Sequence, residues 1–197
     1  MPDGKKLFVS ILPLALLGAM LATFCDAIHA HTGTLVYPDP WLFQQAFWVF
    51  PLFFLTFITM AVSYDLIVRW LPAAIAHDQS MGPGTLAACV ETLTSFGLVY
   101  LLSGFGSREP GLLSAIFYGA FVLRLAVTYE KGFLLLLALI MAVTGMIAEG
   151  SLAVFELVHY RQPEIFNVPF WLGALYMHGA FALRESMRFF VWGNGRS

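Results

Sequence analysis

Among the ionisable side chains inside apolar stretches of this 197-residue chain, seven are the functional suspects: Glu91, Arg124, Glu149, Glu156, His178, Arg184 and Glu185. A charge at membrane depth is costly unless it is paired or hydrated. Such groups are therefore paired structural charges, side chains that snorkel to an interface, or markers of a proton, ion or substrate path. Glu149 and Glu156, seven residues apart, would share one face of a helix. Arg184 is expected to meet Glu149, directly or through water, as a buried structural pair, whereas Glu91 has no evident partner. His29 and His31 with Asp26 are residue types that bind metals, but this spacing is common by chance and no metal or other cofactor is expected. The sequence contains no HExxH, GxSxG or phosphate-loop motif. An intramembrane enzyme or small-molecule transporter built around Glu91, Glu149, Glu156 and His178 is one reading of this set.

A second reading is ligand binding without catalysis. Gln44, Gln45 and Trp48 lie among Phe43, Phe47 and Phe50, just ahead of Pro51. A few polar groups in an apolar, aromatic setting are what a pocket uses to orient a ligand. Gln44, Gln45, Phe47, Trp48 and Glu91 are thus the candidate ligand-binding residues, with Pro51 expected to open a gap beside the second helix by removing a backbone hydrogen bond.

The elements that must carry these residues are six apolar stretches, 7–24, 41–64, 85–103, 111–129, 132–158 and 168–192. A bilayer core of about 30 Å takes roughly 20 residues of α-helix, and each stretch meets or nearly meets that length. With 59% hydrophobic and 11% charged residues, a soluble fold would lack polar surface. Continuous rather than alternating apolar runs exclude a β-barrel. The expected fold is all-α: a single domain over 1–197, a bundle of six transmembrane helices. Short loops leave no room for a nucleotide or nucleic-acid module, and no internal repeat is evident. The first run is long for a signal peptide, and Phe24 stands before Cys25 where lipoprotein cleavage wants a small residue, so an uncleaved first helix is expected. Cys25 and Cys89 read as buried thiols. Lys5, Lys6, Arg69, Lys131, Arg188 and Arg196 fall on one side against Arg108 and Arg161 on the other, which puts both termini in the cytoplasm.

Three short segments resemble the Insig family of membrane sterol sensors. Leu35-Val36-Tyr37-Pro38-Asp39 followed by Ala46-Phe47-Trp48-Val49-Phe50-Pro51 is similar to that family's first loop and the start of its second helix. Thr128-Tyr129-Glu130-Lys131 is similar to its threonine, aromatic, acid, base signature after helix four. Tyr160, Pro163, Glu164, Trp171 and Leu172, with Ala180 and Arg184 beyond, follow its spacing between helices five and six. The chain departs from the family at Phe47, Phe50, Glu130 and Glu164, and in lacking an asparagine-histidine pair in helix three. The resemblance implies six helices, a sterol or, as in bacterial relatives, a diacylglycerol-like lipid among them, an oligomer, and no enzymatic activity. It also implies that Glu130 stands where family members engage Scap, a sterol-sensing membrane partner in eukaryotes; the competing reading is a solvated charge beside Lys131. The expected location is the plasma membrane in a bacterium or the endoplasmic reticulum in a eukaryote.

Overall fold

The computed structural model describes residues 4–72 and 82–193, with side chains from residue 7 onward. Six α-helices are found among them: α1 (Gly4–Thr32), α2 (Val49–Trp70), α3 (Leu86–Gly106), α4 (Pro110–Val127), α5 (Lys131–Val154) and α6 (Trp171–Ser186), the last continuing as a π-helical segment, Met187–Trp192. Two short strands, β1 (Leu35–Val36) and β2 (His159–Tyr160), lie in the α1–α2 and α5–α6 connections. Five of the helices are long and apolar enough to cross a membrane. The sixth is shorter, 16 residues, and is buried almost throughout. Every α6 residue except Tyr176 is buried, against α3, α4 and α5. Its charged groups, Arg184 and Glu185, are buried within the protein, so its composition need not be apolar. Small residues let the neighbours close in: a Cβ on Gly179 would lie 2.9 Å from Met141 Cε.

Local chemistry sets the helix ends. Thr85 caps α3 by accepting a hydrogen bond from Ala88 N (3.2 Å), and Pro110 opens α4 where a missing N–H costs nothing. Pro51 likewise falls in the first turn of α2, so it opens no gap in the helix, contrary to the expectation above. Residues 41–48 are also not helical: Leu42 and Gln45 bridge across a two-residue turn whose Phe43 and Gln44 have φ of 52° and 62°. Glu156 lies beyond the end of α5 at φ 58° and so does not share a helical face with Glu149. Arg69, Lys131 and Arg188 gather at one end of the bundle and Arg108 and Arg161 at the other, as the charge count expects. Arg196 and the side chains of Lys5 and Lys6 lie outside the described residues.

The chain also contains a repeat that the sequence reading missed. A constant shift of 123 residues carries α1, its loop and α2 onto α5, its loop and α6. Residues 43 and 44 become Phe166 and Asn167, which have φ of 48° and 61°. The turn bond Trp41 N to Gln45 O (2.7 Å) becomes Glu164 N to Val168 O (3.0 Å), and Gly33 N to Ala30 O becomes Glu156 N to Ala153 O, both 3.1 Å. The strands pair antiparallel, with Val36 opposite His159, its own counterpart under the shift. A residue paired with its counterpart is what an approximate two-fold axis through the strand pair requires. Because α1 and α5 run the same way, that axis stands along the bilayer normal.

Candidate functional site

Two carboxylates hold equivalent positions in the two halves at the end of the bundle opposite the termini, Asp26 buried and Glu149 half-buried. Asp26 of α1 accepts hydrogen bonds from Tyr37 Oη (2.7 Å) and Gln45 Nε2 (2.7 Å), and the same amide also donates to Thr23 O (3.0 Å). Glu149 of α5, at the equivalent position, accepts from Tyr160 Oη (3.1 Å) and Tyr176 Oη (2.9 Å). The two acids lie within electrostatic reach of each other, and Tyr100 feels both. No arginine, lysine or histidine bonds to either one among the described residues. Burial, reinforced by the carboxylate each faces, holds the loop phenols of Tyr37 and Tyr160 well above the usual tyrosine range. These phenols are fixed donors. Trp48 meets the Tyr37 ring edge-on with centroids 5.6 Å apart.

Beside this cluster, His29 Nε2 meets Ser103 Oγ at 2.7 Å, Ser103 donates to Tyr100 O (2.6 Å), and Trp171 stands edge-on to the imidazole at 5.8 Å. The Trp171 indole N–H is wholly buried and has no hydrogen-bond partner among the described residues.

Two further polar groups lie deeper. His178 Nε2 sits 3.0 Å from Phe117 O and must be the protonated nitrogen, leaving Nδ1 to accept from Arg124 at 3.4 Å. The Arg124 guanidinium also rests 4.3 Å from the Phe181 ring centroid. At the inner end, Arg184 donates to Glu185 Oε1 (2.9 Å), Tyr129 O (3.2 Å) and Thr128 Oγ1 (3.4 Å). Arg188 takes the other Glu185 oxygen (2.9 Å), reaches Gly82 O and Pro83 O, and donates to Tyr129 Oη. Burial pushes the Tyr129 phenol up to about 12. This network staples the α4–α5 turn and the end of the α2–α3 connection to the last helix.

The residues singled out from sequence are thus dispersed. Gln45 joins Asp26, with Trp48 adjacent, while Gln44 is exposed and lines a shallow cleft with Tyr37. Phe47 points outward, 72% exposed. Glu91 is exposed near the start of α3, at the other end of the bundle from Gln45, and its electrostatic neighbour is Arg124. Glu130 is half-buried in the α4–α5 turn. The expected Arg184–Glu149 pair does not form, because the difference in depth exceeds what an arginine spans and each finds nearer partners. Asp26 bonds to Tyr37 and Gln45 and to neither histidine, and the partners of Glu149 are Tyr160 and Tyr176, none of these tyrosines being among the candidate residues read from sequence. A usable signal was present: Tyr37, Pro40, Phe43, Phe47 and Trp48 recur at the same spacing as Tyr160, Pro163, Phe166, Phe170 and Trp171. In both copies an acid stands eleven residues before the tyrosine.

No sequence-family model matches the chain, and no curated protein does either. Among solved structures, a mycobacterial Insig homologue, MvINS from Mycobacterium vanbaalenii, is similar over 96% of this chain and 97% of its own, with 20% identity and a TM-score of 0.78. A cross-linked trimer of a variant of the same homologue is similar over 91% of this chain and 94% of its own, with 22% identity and a TM-score of 0.73. The resemblance read from three short segments is matched by the whole backbone: this chain is a multi-pass membrane protein with the Insig fold.

Proposed function

We propose that this protein is a non-enzymatic Insig-type lipid-binding protein that holds a neutral lipid, a sterol or diacylglycerol, with its hydroxyl end toward Asp26, Gln45 and Tyr37. One observation carries the reading. The buried polar groups form separate clusters at the outer end, mid-bundle and inner end, each closed by its own hydrogen bonds, rather than converging on one cavity. An enzyme or transporter needs convergence. A lipid sensor needs one polar end in apolar surroundings, and the outer cluster supports this with carboxylates held by neutral donors. The buried indole N–H of Trp171, with no hydrogen-bond partner among the described residues, is a further donor at the same end. Apolar contact with Trp48, Phe50, Phe53 and Leu55 of the first loop and α2 would supply most of the affinity. A homo-oligomer belongs to the proposal, supported by the cross-linked trimer of the homologue.

The test is the lipid that co-purifies. Replacing Gln45 with Leu removes the amide from Asp26 and is expected to change the retained neutral lipid, read by native mass spectrometry with lipid identification. The same lipid at the same occupancy in both proteins would remove Gln45 and Asp26 from the site.

A further inference from the structure

The shift that relates the two halves also relates two clefts at the outer surface. Ala30, Leu35, Val36, Tyr37, Pro40 and Gln44 line the smaller, about 240 Å³. Each has its counterpart in the larger, about 400 Å³, as Ala153, Val158, His159, Tyr160, Pro163 and Asn167. The clefts are therefore two versions of one design, and their differences are informative.

The first difference is at the left-handed residue that ends each helix. The first half has Gly33 (φ 66°), the residue for which this backbone carries no strain. Arg161 lies over it, so close that a Cβ there would be 2.4 Å from Nη2. Arg161 is fixed by Nη2 donating to Thr32 O and its backbone N to Thr34 O, both 2.9 Å. In the second half the same conformation is held by Glu156 (φ 58°), and the counterpart of Arg161 is Pro38, which has no reach. The larger cleft is lined by this strained glutamate, where glycine would be easier. The Glu156 carboxylate is exposed and makes no hydrogen bond or ion pair with the described residues. The second difference is polarity, His159 standing where the smaller cleft has Val36, while an amide is kept as Asn167 in place of Gln44. Exposed Phe155, Phe166 and Phe170 border this region, as aromatics do at lipid headgroup level.

The geometry points to the larger cleft as a site for the ammonium group of a zwitterionic phospholipid headgroup, with Glu156 as its anion and the Asn167 amide and His159 imidazole available to the phosphate. A carboxylate with no internal partner, beside the Tyr160 ring and at headgroup level, is complementary to an alkylammonium. The smaller cleft serves as an internal control, because no carboxylate lines it.

The test uses the full chain in nanodiscs of phosphatidylglycerol with or without phosphatidylethanolamine, scoring retained phosphatidylethanolamine by native mass spectrometry. Glu156→Gly installs the residue used in the first half, relieves strain and is expected to leave the melting temperature unchanged or raised. It is expected to lower phosphatidylethanolamine retention about tenfold, the loss of one charge-assisted contact. Glu156→Gln, which keeps the side-chain length, is expected to lose as much. Competition by free ethanolamine would identify a soluble amine as the source of the ammonium, whereas retention that survives ethanolamine assigns it to the lipid. Equal retention in the parent, Glu156→Gly and Glu156→Gln proteins, or no preference of the parent for phosphatidylethanolamine over phosphatidylglycerol, would overturn the assignment.

Discussion

The two halves solve one problem with different side chains. Each carries a carboxylate in the outer part of its first helix, and each gives it two neutral donors, one of them the tyrosine eleven residues on. The second donor comes from the loop in the first half, where Gln45 bonds to Asp26, and from the helix in the second, where Tyr176 bonds to Glu149. The shift exchanges these roles: Gln45 corresponds to Val168, which is wholly buried, and Tyr176 corresponds to Phe53. The shorter acid uses the nearer loop amide and the longer one reaches across to α6. What persists between the halves is therefore the hydrogen-bond count of the acid, because an unsatisfied carboxylate is more costly than any particular donor is valuable.

Changes at Gly150, at Tyr37 and Tyr160, and at Tyr176 with Val168 would break or sharpen this equivalence. The largest effect is expected at Gly150, whose counterpart is Ala27. A methyl at 150 would lie 2.1 Å from Phe166 Cδ1 and 2.4 Å from Phe166 O, so backbone would have to move. Gly150→Ala should cost about 3 kcal/mol by thermal unfolding in detergent, at the upper end of overpacking penalties, although alanine is native at the equivalent site. Tyr37→Phe and Tyr160→Phe should each cost roughly 1–3 kcal/mol, and similar amounts, since each takes one donor from its acid. A large inequality would mean that the halves are alike in backbone only. Tyr176→Phe should cost about as much, and adding Val168→Gln should recover part of it by supplying the first half's donor. The smallest effect lies outside the repeat, at Tyr129. Its phenol is raised from 10.0 to about 12 by burial, so its contribution is complete below the ordinary value and is lost as pH rises through about 12. Melting temperatures across that range should fall more for the parent protein than for Tyr129→Phe.

Much of the fold is legible in sequence because lipid imposes simple constraints: six apolar runs of spanning length, short turns and a lopsided distribution of positive charge. The ends of the runs are less legible. Residues 41–48 are as apolar as a helix, yet Trp41 and Phe43 are exposed at the outer surface and the backbone turns through Phe43 and Gln44. Composition does not separate an interfacial turn from a spanning segment. The repeat is masked because lipid-facing helix positions exchange one apolar residue for another freely, leaving identity concentrated in the loop pattern of Tyr, Pro, Phe, Phe and Trp. The site is the least legible part. Gln45 and Trp48 were visible as polar groups among aromatics, but Asp26 gains its role only when the loop folds Tyr37 and Gln45 back over α1. The cost of a lone buried charge argues for an Arg184–Glu149 pair, but the fold gives Glu149 the Tyr176 phenol and Arg184 the Glu185 carboxylate.

The central functional claim is that the bundle holds a neutral lipid and performs no chemistry on it. Native mass spectrometry of the gently extracted parent protein, with collision energy raised in steps and the released ligand identified, tests this most directly. The account predicts an intact sterol or diacylglycerol-class lipid retained at one per chain after bulk phospholipid has been stripped. A chain that retains nothing, or that converts an added sterol or diacylglycerol to a new mass, would contradict it.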